Sequence, residues 1–286
     1  MKRAGILLIL ILFVIYPFFN FNYAENLQIH FIDVKEGDAI LIETTEGKTI
    51  LIDAGNCIGG FRVVEYLKKN NIYTLDHLIF THHHLDHLCG AFFVLQMLKV
   101  KNVYDNGQNL AELVKYSDVY RWYEELVRKD KGYKTLRAKD IIFLDGLTLR
   151  VLWPPPSFTP SDFNANSLVI MLEYGGFRCL LTADLTIPGE RKILEEKVDI
   201  KADILKIGHH GASDASCKEF LTAVSPEIAI ISVNTTNIRG YPADEVLGRL
   251  KKAGIQLYRT DEDGDIIVNI YLSKHKDFKI KINKVK

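Results

Sequence analysis

Thr81-His82-His83-His84-Leu85-Asp86-His87 follows residues 75–80, an apolar run that predicts a buried strand. The stretch places four histidines and one aspartate within six consecutive positions. Imidazole nitrogens and carboxylate oxygens are the ligands that divalent transition metals prefer in proteins. A chance run of polar residues is the alternative, but so many ligands directly after a core strand have no use in packing. We therefore predict a metal site in the loop at the end of this strand.

The spacing of these ligands favours a loop over a helix. Two histidines four positions apart on one helix face would suit a single zinc ion. Here the residues spaced to bind metal ions are His82, His84, Asp86 and His87. In a loop at a strand end, alternate residues point in different directions, so these side chains can reach two different ions.

The composition is that of an ordinary globular protein, with 286 residues of which 48% are hydrophobic and 25% charged. This length fits one large domain or two small ones. Lysine plus arginine equals aspartate plus glutamate at 36 each, so no overall basic field points to nucleic acid, and none excludes it. The lysine-rich segment 274–286 alternates with apolar residues, which predicts a strand with a solvated lysine face. An edge that contacts phosphates is the alternative.

The N-terminus predicts export. Two basic residues precede an apolar run at residues 4–19. This pattern is typical of a signal peptide or an uncleaved membrane anchor in residues 1–24, followed by a folded domain in residues 25–286. Either outcome places the domain outside the cytoplasm, secreted or anchored on the outer face of the cell membrane through residues 4–21. A buried N-terminal helix is the alternative.

The four cysteines, Cys57, Cys89, Cys179 and Cys217, form no CxxC pair. Outside the cytoplasm an even number of cysteines permits disulfides, but the sequence does not give their connectivity. Cys57 and Cys89 each follow a motif loop, so they could pair or line the site. Cys179 falls within an apolar strand pattern and is expected to be buried.

The rest of the chain alternates strands with helices in two halves. No low-complexity linker separates the halves, so we predict one α/β domain in which two mixed sheets lie face to face with helices outside. Residues 110–129 predict one long charged helix near the site. Its aromatic residues Tyr120, Trp122 and Tyr123 could face a substrate or belong to the core.

Two further motifs end strands with metal-ligand residues. Asp184 follows the strand predicted at residues 177–181, where its carboxylate could bridge two cations or cap the next helix. The run at residues 206–211 places His209 and His210 at the end of another strand, before a glycine that permits a tight turn. We assign the metal role to His209, and expect His210 to contact substrate or to support the ligands.

Six motifs carry a family resemblance: Asp33-Val34-Lys35-Glu36-Gly37-Asp38, Leu51-Ile52-Asp53-Ala54-Gly55, residues 81–87, Asn166-Ser167-Leu168-Val169, Leu181-Thr182-Ala183-Asp184 and Leu205-Lys206-Ile207-Gly208-His209-His210-Gly211. They follow one another as in the metallo-β-lactamase-fold hydrolases, which the chain resembles over nearly all of residues 27–270. The nearest match looks like the soluble hydrolase domain of the ComEC competence proteins. The resemblance implies an αββα sandwich of two mixed β-sheets flanked by helices, with the metals at one edge of the sheets.

The resemblance also implies two ligand sets joined by a bridge. The ligands of the first metal would be His82 and His84. The ligands of the second would be Asp86, His87 and His209. Asp184 is similar to the carboxylate that bridges both metals, and with Asp86 it would orient the attacking hydroxide. Asp53 resembles the buried carboxylate that orients the loop, and His83 would support the ligands from behind.

Three departures from the family pattern bear on this site. The chain has no histidine between His87 and His209, so the first metal lacks one family ligand and its site is weak, completed by water, or empty. His84 stands where the ComEC branch usually carries aspartate. Tyr241 stands where that branch carries a histidine, and a phenol is a weaker acid than imidazolium near neutral pH.

The ligand set predicts one or two zinc ions, or manganese, which would lower the pKa of bound water to about 7 and so provide hydroxide. We therefore predict an exported metal-dependent phosphodiesterase or nuclease that acts on an anionic substrate such as single-stranded DNA, with no obligate protein partner. The nucleic-acid substrate rests on the resemblance alone. Tyr241 would donate a proton, and Lys206 and Asn237 would contact substrate or support the ligands; a solvated lysine is the alternative for Lys206.

Two other functions stay open at this point. The first is hydrolysis of another ester or amide, such as a phosphocholine ester, a lactone or a β-lactam. The second is a degenerate module that binds metal or nucleic acid without turnover, which the missing histidine and Tyr241 would fit.

Overall fold

The computed structural model describes residues 24–157, 162–236, 238–273 and 277–286. The apolar segment at residues 4–21, on which the export prediction rests, lies outside the described residues, as does Asn237. In the part of the chain that is described, no helix combines the length and the apolar character needed to cross a membrane.

The described strands are, in chain order, β1 (Ala24–Phe31), β2 (Ile40–Thr44), β3 (Thr49–Ile52), β4 (Thr74–Leu75), β5 (His77–Ile79), β6 (Lys99–Val100), β7 (Val103–Asp105), β8 (Tyr133–Thr135), β9 (Ile141–Leu144), β10 (Leu147–Trp153), β11 (Val169–Tyr174), β12 (Phe177–Leu181), β13 (Ile204–Lys206), β14 (Ile228–Ile231), β15 (Gln256–Arg259), β16 (Asp265–Leu272) and β17 (Phe278–Val285). The α-helices are α1 (Cys57–Lys69), α2 (Leu85–Leu88), α3 (Ala91–Met97), α4 (Ala111–Val114), α5 (Asp118–Trp122), α6 (Ile187–Glu195), α7 (Lys218–Val224), α8 (Asp244–Lys252) and α9 (Thr260–Asp263). A π-helical turn at Tyr123–Val127 continues α5, and 3₁₀ turns lie at Asn164–Asn166 and Gly208–Gly211.

Two mixed sheets hold all of these strands except β4 and β6, which pair with each other. The first sheet has the order β17-β16-β1-β2-β3-β5-β7-β8, and the second has the order β15-β14-β13-β12-β11-β10-β9. In the first sheet the strands from β3 to β8 run parallel to one another. In the second sheet the strands from β12 to β15 do the same.

The main core lies between the two sheets. Successive side chains of a strand point to opposite faces, so a strand fills this core with every second residue. In β1 these residues are Leu27, Ile29 and Phe31, all buried. They belong to one cluster with Ile228 and Ile230 of β14 in the opposite sheet.

Each sheet also buries its outer face, because helices cover it. Leu51 of β3 joins an apolar cluster with Val63 of α1 and Val94 of α3. Leu205 of β13 joins a cluster with Phe220 of α7 on the other side of the molecule. The layers are therefore helix, sheet, sheet and helix, and the αββα sandwich predicted from the sequence is confirmed.

Residues 110–129 do not form the single helix that was predicted. Ser117 has an extended backbone, with φ −141° and ψ 123°, and separates α4 from α5. Tyr120 and Tyr123 are buried, and Trp122 packs partly buried against the same cluster. These aromatic side chains belong to the core, one of the two roles that the sequence left open.

The C-terminal strand β17 has the solvated lysine face that was predicted. Lys279 and Lys281 are exposed, whereas Ile280 and Ile282 pack against the main core. The strand forms the edge of the first sheet beside β16.

The two motif-loop cysteines form a disulfide. Cys57 and Cys89 have Cα atoms 4.6 Å apart, and their bond ties the start of α1 to the residue after α2. Cys179 and Cys217 are buried thiols. The expected burial of Cys179 is therefore confirmed, and pairing is the alternative that Cys57 and Cys89 adopt.

The carboxyl ends of the parallel strands meet at one edge of the sandwich, which we call the site edge. In the first sheet the strands β3, β5, β7 and β8 end there at Ile52, Ile79, Asp105 and Thr135. In the second sheet β12, β13 and β14 end there at Leu181, Lys206 and Ile231. Loops outside the carboxyl ends of parallel strands are where α/β proteins commonly bind ligands.

Candidate metal centre

The carboxylate of Asp184 lies at the centre of a polar cluster on the site edge. Its Oδ2 is 3.3 Å from Nε2 of His87 and 3.7 Å from Nε2 of His82. Its Oδ1 is 3.4 Å from Nε2 of His210. Asp184 thus faces imidazoles supplied by both sheets, which is the position that a bridging carboxylate needs.

The turn after β13 decides which of two adjacent histidines enters the cluster. His209 and His210 both have left-handed backbone, with φ of 47° and 53°, and Gly211 completes the turn at φ 81°. The ring of His210 is buried with Nε2 3.7 Å from Oδ2 of Asp86. Its Nδ1 lies 3.0 Å from the carbonyl oxygen of Ser232. That contact makes Nδ1 the protonated nitrogen and leaves Nε2 to bind a metal.

His209 points away from the cluster. Its Nδ1 is 2.9 Å from Oδ1 of Asp214, and its ring packs edge-on against Tyr241 with centroids 5.6 Å apart. The ligand role that the sequence analysis assigned to His209 therefore fits His210 instead. The physical reason is the pair of left-handed residues, which turns the two rings in different directions.

Among the overlapping ligand sets of the described residues, one consists wholly of predicted ligands, and a second contains two predicted ligands together with His210. Within each set the ligand atoms lie within 4.8 Å of one another. The first set consists of His82, His87 and Asp184. The second consists of Asp86, His87 and His210. His84 belongs to neither, although its Nδ1 is 3.1 Å from Nε2 of His82.

Four buried atoms in and beneath this cluster form no hydrogen bond of good geometry among the described residues: Nε2 of His87, Nε2 of His210, Oδ1 of Asp184 and Oδ1 of Asp38. The two imidazole nitrogens face the Asp184 carboxylate at 3.3 and 3.4 Å. A buried polar atom without a partner is unfavourable and calls for an explanation such as a bound ion. Divalent cations held by the ligand sets that contain these residues would satisfy them, and mixed imidazole and carboxylate ligands suit zinc or manganese. The donor set therefore fits the metal that the sequence predicted.

Three carboxyl groups, those of Asp38, Asp53 and Asp184, are buried around these histidines. Burial by itself would lower the pKa of His87, but the carboxylates of Asp184 and Asp53 raise it well above its ordinary value. Burial lowers the pKa of His82 well below its ordinary value, so His82 is a neutral imidazole that can bind a cation.

Asp53 directly after β3 orients the histidine loop. Its carboxylate accepts hydrogen bonds from the backbone N–H of Thr81 at 2.8 Å and from the Thr81 hydroxyl at 2.7 Å. The same carboxylate lies 2.8 Å from Nδ1 of His87. Because Nδ1 is held in this way, Nε2 of His87 faces the cluster, as in other histidine ligands supported by a carboxylate.

Lys206 is fully buried and forms an ion pair with Asp38. Its ammonium group also donates to the carbonyl oxygen of Ala183 at 3.1 Å. Neither a substrate contact nor a solvated lysine fits this position. Instead the side chain ties the loop after β1 to the loop that carries Asp184, and Asp38 is a site residue to which the sequence analysis gave no role.

Gly37 lets the loop after β1 approach the histidine loop closely. Its φ is 95°, and a Cβ at this position would lie 1.5 Å from the carbonyl oxygen of Asp86. The glycine therefore brings the next residue beneath the cluster, where Oδ1 of Asp38 is 3.7 Å from Nδ1 of His210. In the sequence, the pair Gly37-Asp38 was the feature that could have indicated this close approach and the position of Asp38.

His83 points away from the cluster and into a second buried network. Its Nε2 is 3.0 Å from Oδ2 of Asp105 at the end of β7. Asp105 also accepts hydrogen bonds from the side chains of Tyr123, Tyr133 and Arg128 at 2.9, 2.8 and 2.9 Å. Burial alone would raise the pKa of Asp105, but His83 and Arg128 hold it well below its usual range. No short motif predicts this network, because its members come from four separate segments.

Tyr241 lies at the mouth of the centre, where it shares a small cavity with Asp86 and His210. Burial raises the pKa of its phenol above the ordinary value, so the hydroxyl stays protonated at neutral pH. Arg239 lies beside it, with Nη1 3.7 Å from Oδ2 of Asp86 and 52% of its side chain exposed. The mouth therefore offers the Tyr241 hydroxyl as a hydrogen-bond donor and the exposed guanidinium of Arg239, and the exposed Lys35 lines the same cavity.

Comparison with known proteins identifies the family. Residues 32–235 match the metallo-beta-lactamase superfamily. ComE operon protein 3 of Bacillus subtilis is 29% identical over 256 residues, which cover 84% of this chain and 32% of that protein. Recombination protein 2 of Haemophilus influenzae is 29% identical over 250 residues, which cover 85% of this chain and 29% of that protein. The chain thus spans about a third of the length of these curated relatives.

The solved structure of Igni18, described as a metallo hydrolase from Ignicoccus hospitalis, matches with a TM-score of 0.55 and 16% sequence identity. The match covers 84% of this chain and 98% of that one, and it supports the fold alone. The family match, which spans residues 32–235, agrees with the αββα layers and with the histidine loop on the site edge. This chain therefore belongs to the metallo-β-lactamase superfamily.

Proposed function

We propose that this protein is a metal-dependent phosphodiesterase that cleaves single-stranded nucleic acid outside the cytoplasm. One observation carries the proposal: among the residues that the structure describes, buried imidazoles of His87 and His210 converge on the Asp184 carboxylate where the strands of both sheets end, and their Nε2 atoms form no hydrogen bond of good geometry. Membership of a superfamily that consists mainly of metal-dependent hydrolases supports the reaction class.

Two ligand groups would hold the cations, which we propose to be zinc or manganese. The residues around the better defined position are Asp86, His87 and His210, and the Asp184 carboxylate lies 3.3 Å from His87 and 3.4 Å from His210. The residues around the second are His82, His84 and Asp184. When bound, such a cation lowers the pKa of a water molecule and polarises a phosphoryl oxygen of the substrate.

The other side chains position the reactants and move protons. Asp86 and Asp184 are placed to accept a proton from the attacking water, because their carboxylates face the cluster from opposite sheets. The Tyr241 hydroxyl at the mouth would donate a hydrogen bond to the oxygen of the leaving group. Asp53 and Lys206 hold the two loops in place from behind.

Nucleic acid is the substrate class that the relatives favour. One curated relative is named a recombination protein, and recombination is a reaction of nucleic acids. The exposed guanidinium of Arg239 beside Asp86 suits an anionic substrate, whereas a neutral lactone would have no use for it.

The disulfide between Cys57 and Cys89 supports export, because disulfides persist mainly outside the cytoplasm. The test is to fuse residues 1–26 to a reporter enzyme that is active only outside the cytoplasm. We expect a signal from this fusion. A signal only from the matching reporter that works in the cytoplasm would contradict export.

The test of the activity is to purify the full-length chain, measure its bound metals by mass spectrometry, and assay three substrates. We expect stoichiometric zinc or manganese, and hydrolysis of bis-p-nitrophenyl phosphate and single-stranded DNA but not of nitrocefin. Asp184→Asn should lose both the metals and the hydrolysis, because one carboxylate faces both ligand groups. Bound metal with turnover of nitrocefin alone would point to an amide hydrolase, and a chain without metal or turnover would point to a degenerate module.

A further inference from the structure

A cleft of about 700 Å³ opens on the site edge beside His84. Its walls come from residues 107–109 after β7, from α4, from Phe163 and from Arg137 after β8. The ring of Phe163 packs edge-on against His84 with centroids 5.2 Å apart. The cleft therefore extends the metal centre sideways along the first sheet, and its volume lies in the range of ordinary ligand sites.

Arg137 reaches this cleft because of the sheet order. Strand β8 pairs in parallel with β7, and β7 pairs in parallel with β5, whose end carries the histidine loop. Arg137 follows the end of β8, and its backbone N–H donates to the Asp140 carboxylate at 2.7 Å, which fixes the turn. Its Nη2 lies beside Gly107, 3.6 Å from the position that a Cβ would take there.

The guanidinium of Arg137 has no direct ion-pair partner among the described residues, although the more distant carboxylates of Asp105 and Asp140 act on its charge. Its Nη1 is buried without a hydrogen-bond partner among the same residues. Arg128, by contrast, is paired with both Asp105 and Glu124. Burial lowers the pKa of Arg137 from its ordinary value, but a guanidinium still remains charged at neutral pH. A partly buried cation without a partner is unfavourable until an anion binds it.

From this placement we infer that Arg137 binds a phosphate group of a nucleic-acid strand while another phosphate of the same strand lies at the metal centre. The inference rests on the proposed function and narrows the substrate to polynucleotides. The planar guanidinium matches the oxygens of a phosphate with two parallel hydrogen bonds. A lactone, a β-lactam or an isolated phosphodiester offers no second phosphate to this side chain.

Two carboxylates line the same cleft and oppose an anion. They belong to Glu112 and Asp162, and Glu112 pairs with Lys115 at 2.9 Å. Glu112→Gln removes one negative charge and releases the lysine. If a strand passes through this cleft, this variant should bind it more tightly than the unmodified chain, which is the opposite of the effect expected at Arg137.

The test measures binding of a fluorescent single-stranded phosphorothioate oligonucleotide, which resists hydrolysis, to the full-length chain by anisotropy at several salt concentrations. Arg137→Gln should weaken binding about tenfold, as the loss of a charge-assisted hydrogen bond does. It should also reduce the slope of log K against log salt by about 0.7, the value for one phosphate contact on a single strand. Arg137→Lys should restore most of the slope, since it keeps the charge. The matched control is Arg191→Gln, which removes the same charge from an exposed position on α6 and should change neither quantity.

Catalysis gives a second readout with the metal-loaded chain. For Arg137→Gln the loss in kcat/KM should be at least about fivefold larger on an oligonucleotide than on bis-p-nitrophenyl phosphate, since only the strand supplies a second phosphate. Equal losses on both substrates would overturn the inference, because they would place Arg137 at the reaction centre or in the fold. The inference would also be overturned if Arg137→Gln changed neither the affinity for the strand nor the salt slope.

The two proposals can fail separately. A chain that binds the strand through Arg137 but hydrolyses nothing would contradict the phosphodiesterase function and leave this inference standing. A chain that hydrolyses bis-p-nitrophenyl phosphate, but whose strand binding is unchanged in Arg137→Gln, would contradict this inference and leave the phosphodiesterase function standing.

Discussion

At the residue scale, the direction of one imidazole decides the composition of the metal centre. His210 has Asp86 and Asp184 within reach of Nε2, while the carbonyl oxygen of Ser232 holds its Nδ1. His209 contacts Asp214 instead, with Nδ1 2.9 Å from Oδ1 of that carboxylate. The two adjacent residues are therefore chemically unequal, and the difference can be measured.

We expect His210→Ala to lose the metal that Asp86 and His87 help to hold, because it removes one of three close ligands. Its rate on bis-p-nitrophenyl phosphate should fall at least about 100-fold, since even changes to partners outside the ligand shell cost about 10–100-fold. The matched control is His209→Ala, which should keep its metal. Metal analysis by mass spectrometry, together with initial rates, decides the question. Loss of metal in His209→Ala with retention in His210→Ala would reverse the assignment.

Tyr241 gives a second prediction at this scale. Its phenol is a poor proton donor because burial raises its pKa above the ordinary value, but it remains a hydrogen-bond donor. Tyr241→Phe should therefore slow hydrolysis by at most about tenfold, below the usual range of general acid catalysis. Tyr241→His should speed cleavage of ordinary phosphodiesters, whose leaving groups need a proton, and hardly change that of p-nitrophenyl esters. An equal effect on both substrate types would assign this position to binding or packing.

The residues whose positions could be predicted from the sequence are those in a short motif at the end of a strand, where the strand itself fixes the place of the side chain. Asp53 and Asp184 each directly follow a strand, as their motifs indicated. Asp86 and His87 lie in the short helix α2, whereas the spacing of the ligands predicted a loop. His210 could not be chosen over its neighbour, because the choice depends on two consecutive left-handed residues. The pairing of Lys206 with a distant aspartate was equally hidden, since it depends on how the two sheets face each other.

At the element scale, the π-helical turn Tyr123–Val127 supports the histidine loop from behind. Tyr123 and Arg128 lie at the two ends of this turn, and both donate to the buried carboxylate of Asp105. Asp105 in turn lies 3.0 Å from His83, within the loop that carries the ligands. A π-helical turn often occurs at a functional site, and here it directs two donors onto one carboxylate.

Asp105→Asn is predicted to destabilise the fold by about 3 kcal/mol at pH 7, the lower end of the cost of removing one partner from a buried ion pair. The amide keeps the shape of the carboxylate but brings an N–H group toward the N–H and O–H donors of Arg128 and the tyrosines. Urea unfolding measures the difference. The matched control is Asp118→Asn, whose side chain is 94% exposed and pairs only with Arg121, and which should change little.

The destabilisation caused by Asp105→Asn should depend on pH in a predictable direction. Burial would raise the pKa of Asp105, but His83 and Arg128 hold it well below its usual range, so the folded state favours the charged form. The stability from this effect is complete above the ordinary aspartate pKa of about 3.9 and is lost as the pH falls below it toward the folded value. The difference in the free energy of unfolding between the unmodified chain and Asp105→Asn should therefore be constant near neutral pH and become smaller in acid. A difference that stays unchanged down to pH 3 would contradict this account.

Strands were easier to predict than helices in this chain. Alternation in β1 and in β17 identified both strands, because each has one face against the core and one face outside it. The error at residues 110–129 arose because helical periodicity continues across Ser117, whose backbone is extended. Serine is common at helix starts, so this residue was the available signal for a break.

At the scale of the whole molecule, the candidate metal centre draws its residues from both sheets. The histidine loop belongs to the first sheet, whereas Asp184 and His210 follow strands of the second. Their side chains meet across the site edge with separations of 3.3 to 3.7 Å. A bound cation would therefore act as a link between the halves of the sandwich and would neutralise the carboxylates buried there.

Removal of the metal should consequently lower the melting temperature of the entire domain. A ligand present at 1,000 times its dissociation constant stabilises the folded state by about 4 kcal/mol. For a domain of this size that corresponds to a fall of about 10 °C when EDTA is added. Differential scanning calorimetry measures the fall, and excess zinc should restore the original temperature. Asp184→Asn is the control, since a chain that has lost the bridging carboxylate should melt at the same temperature with and without EDTA. If EDTA strips the metal from the unmodified chain and its melting temperature does not move, the ion does not link the two sheets.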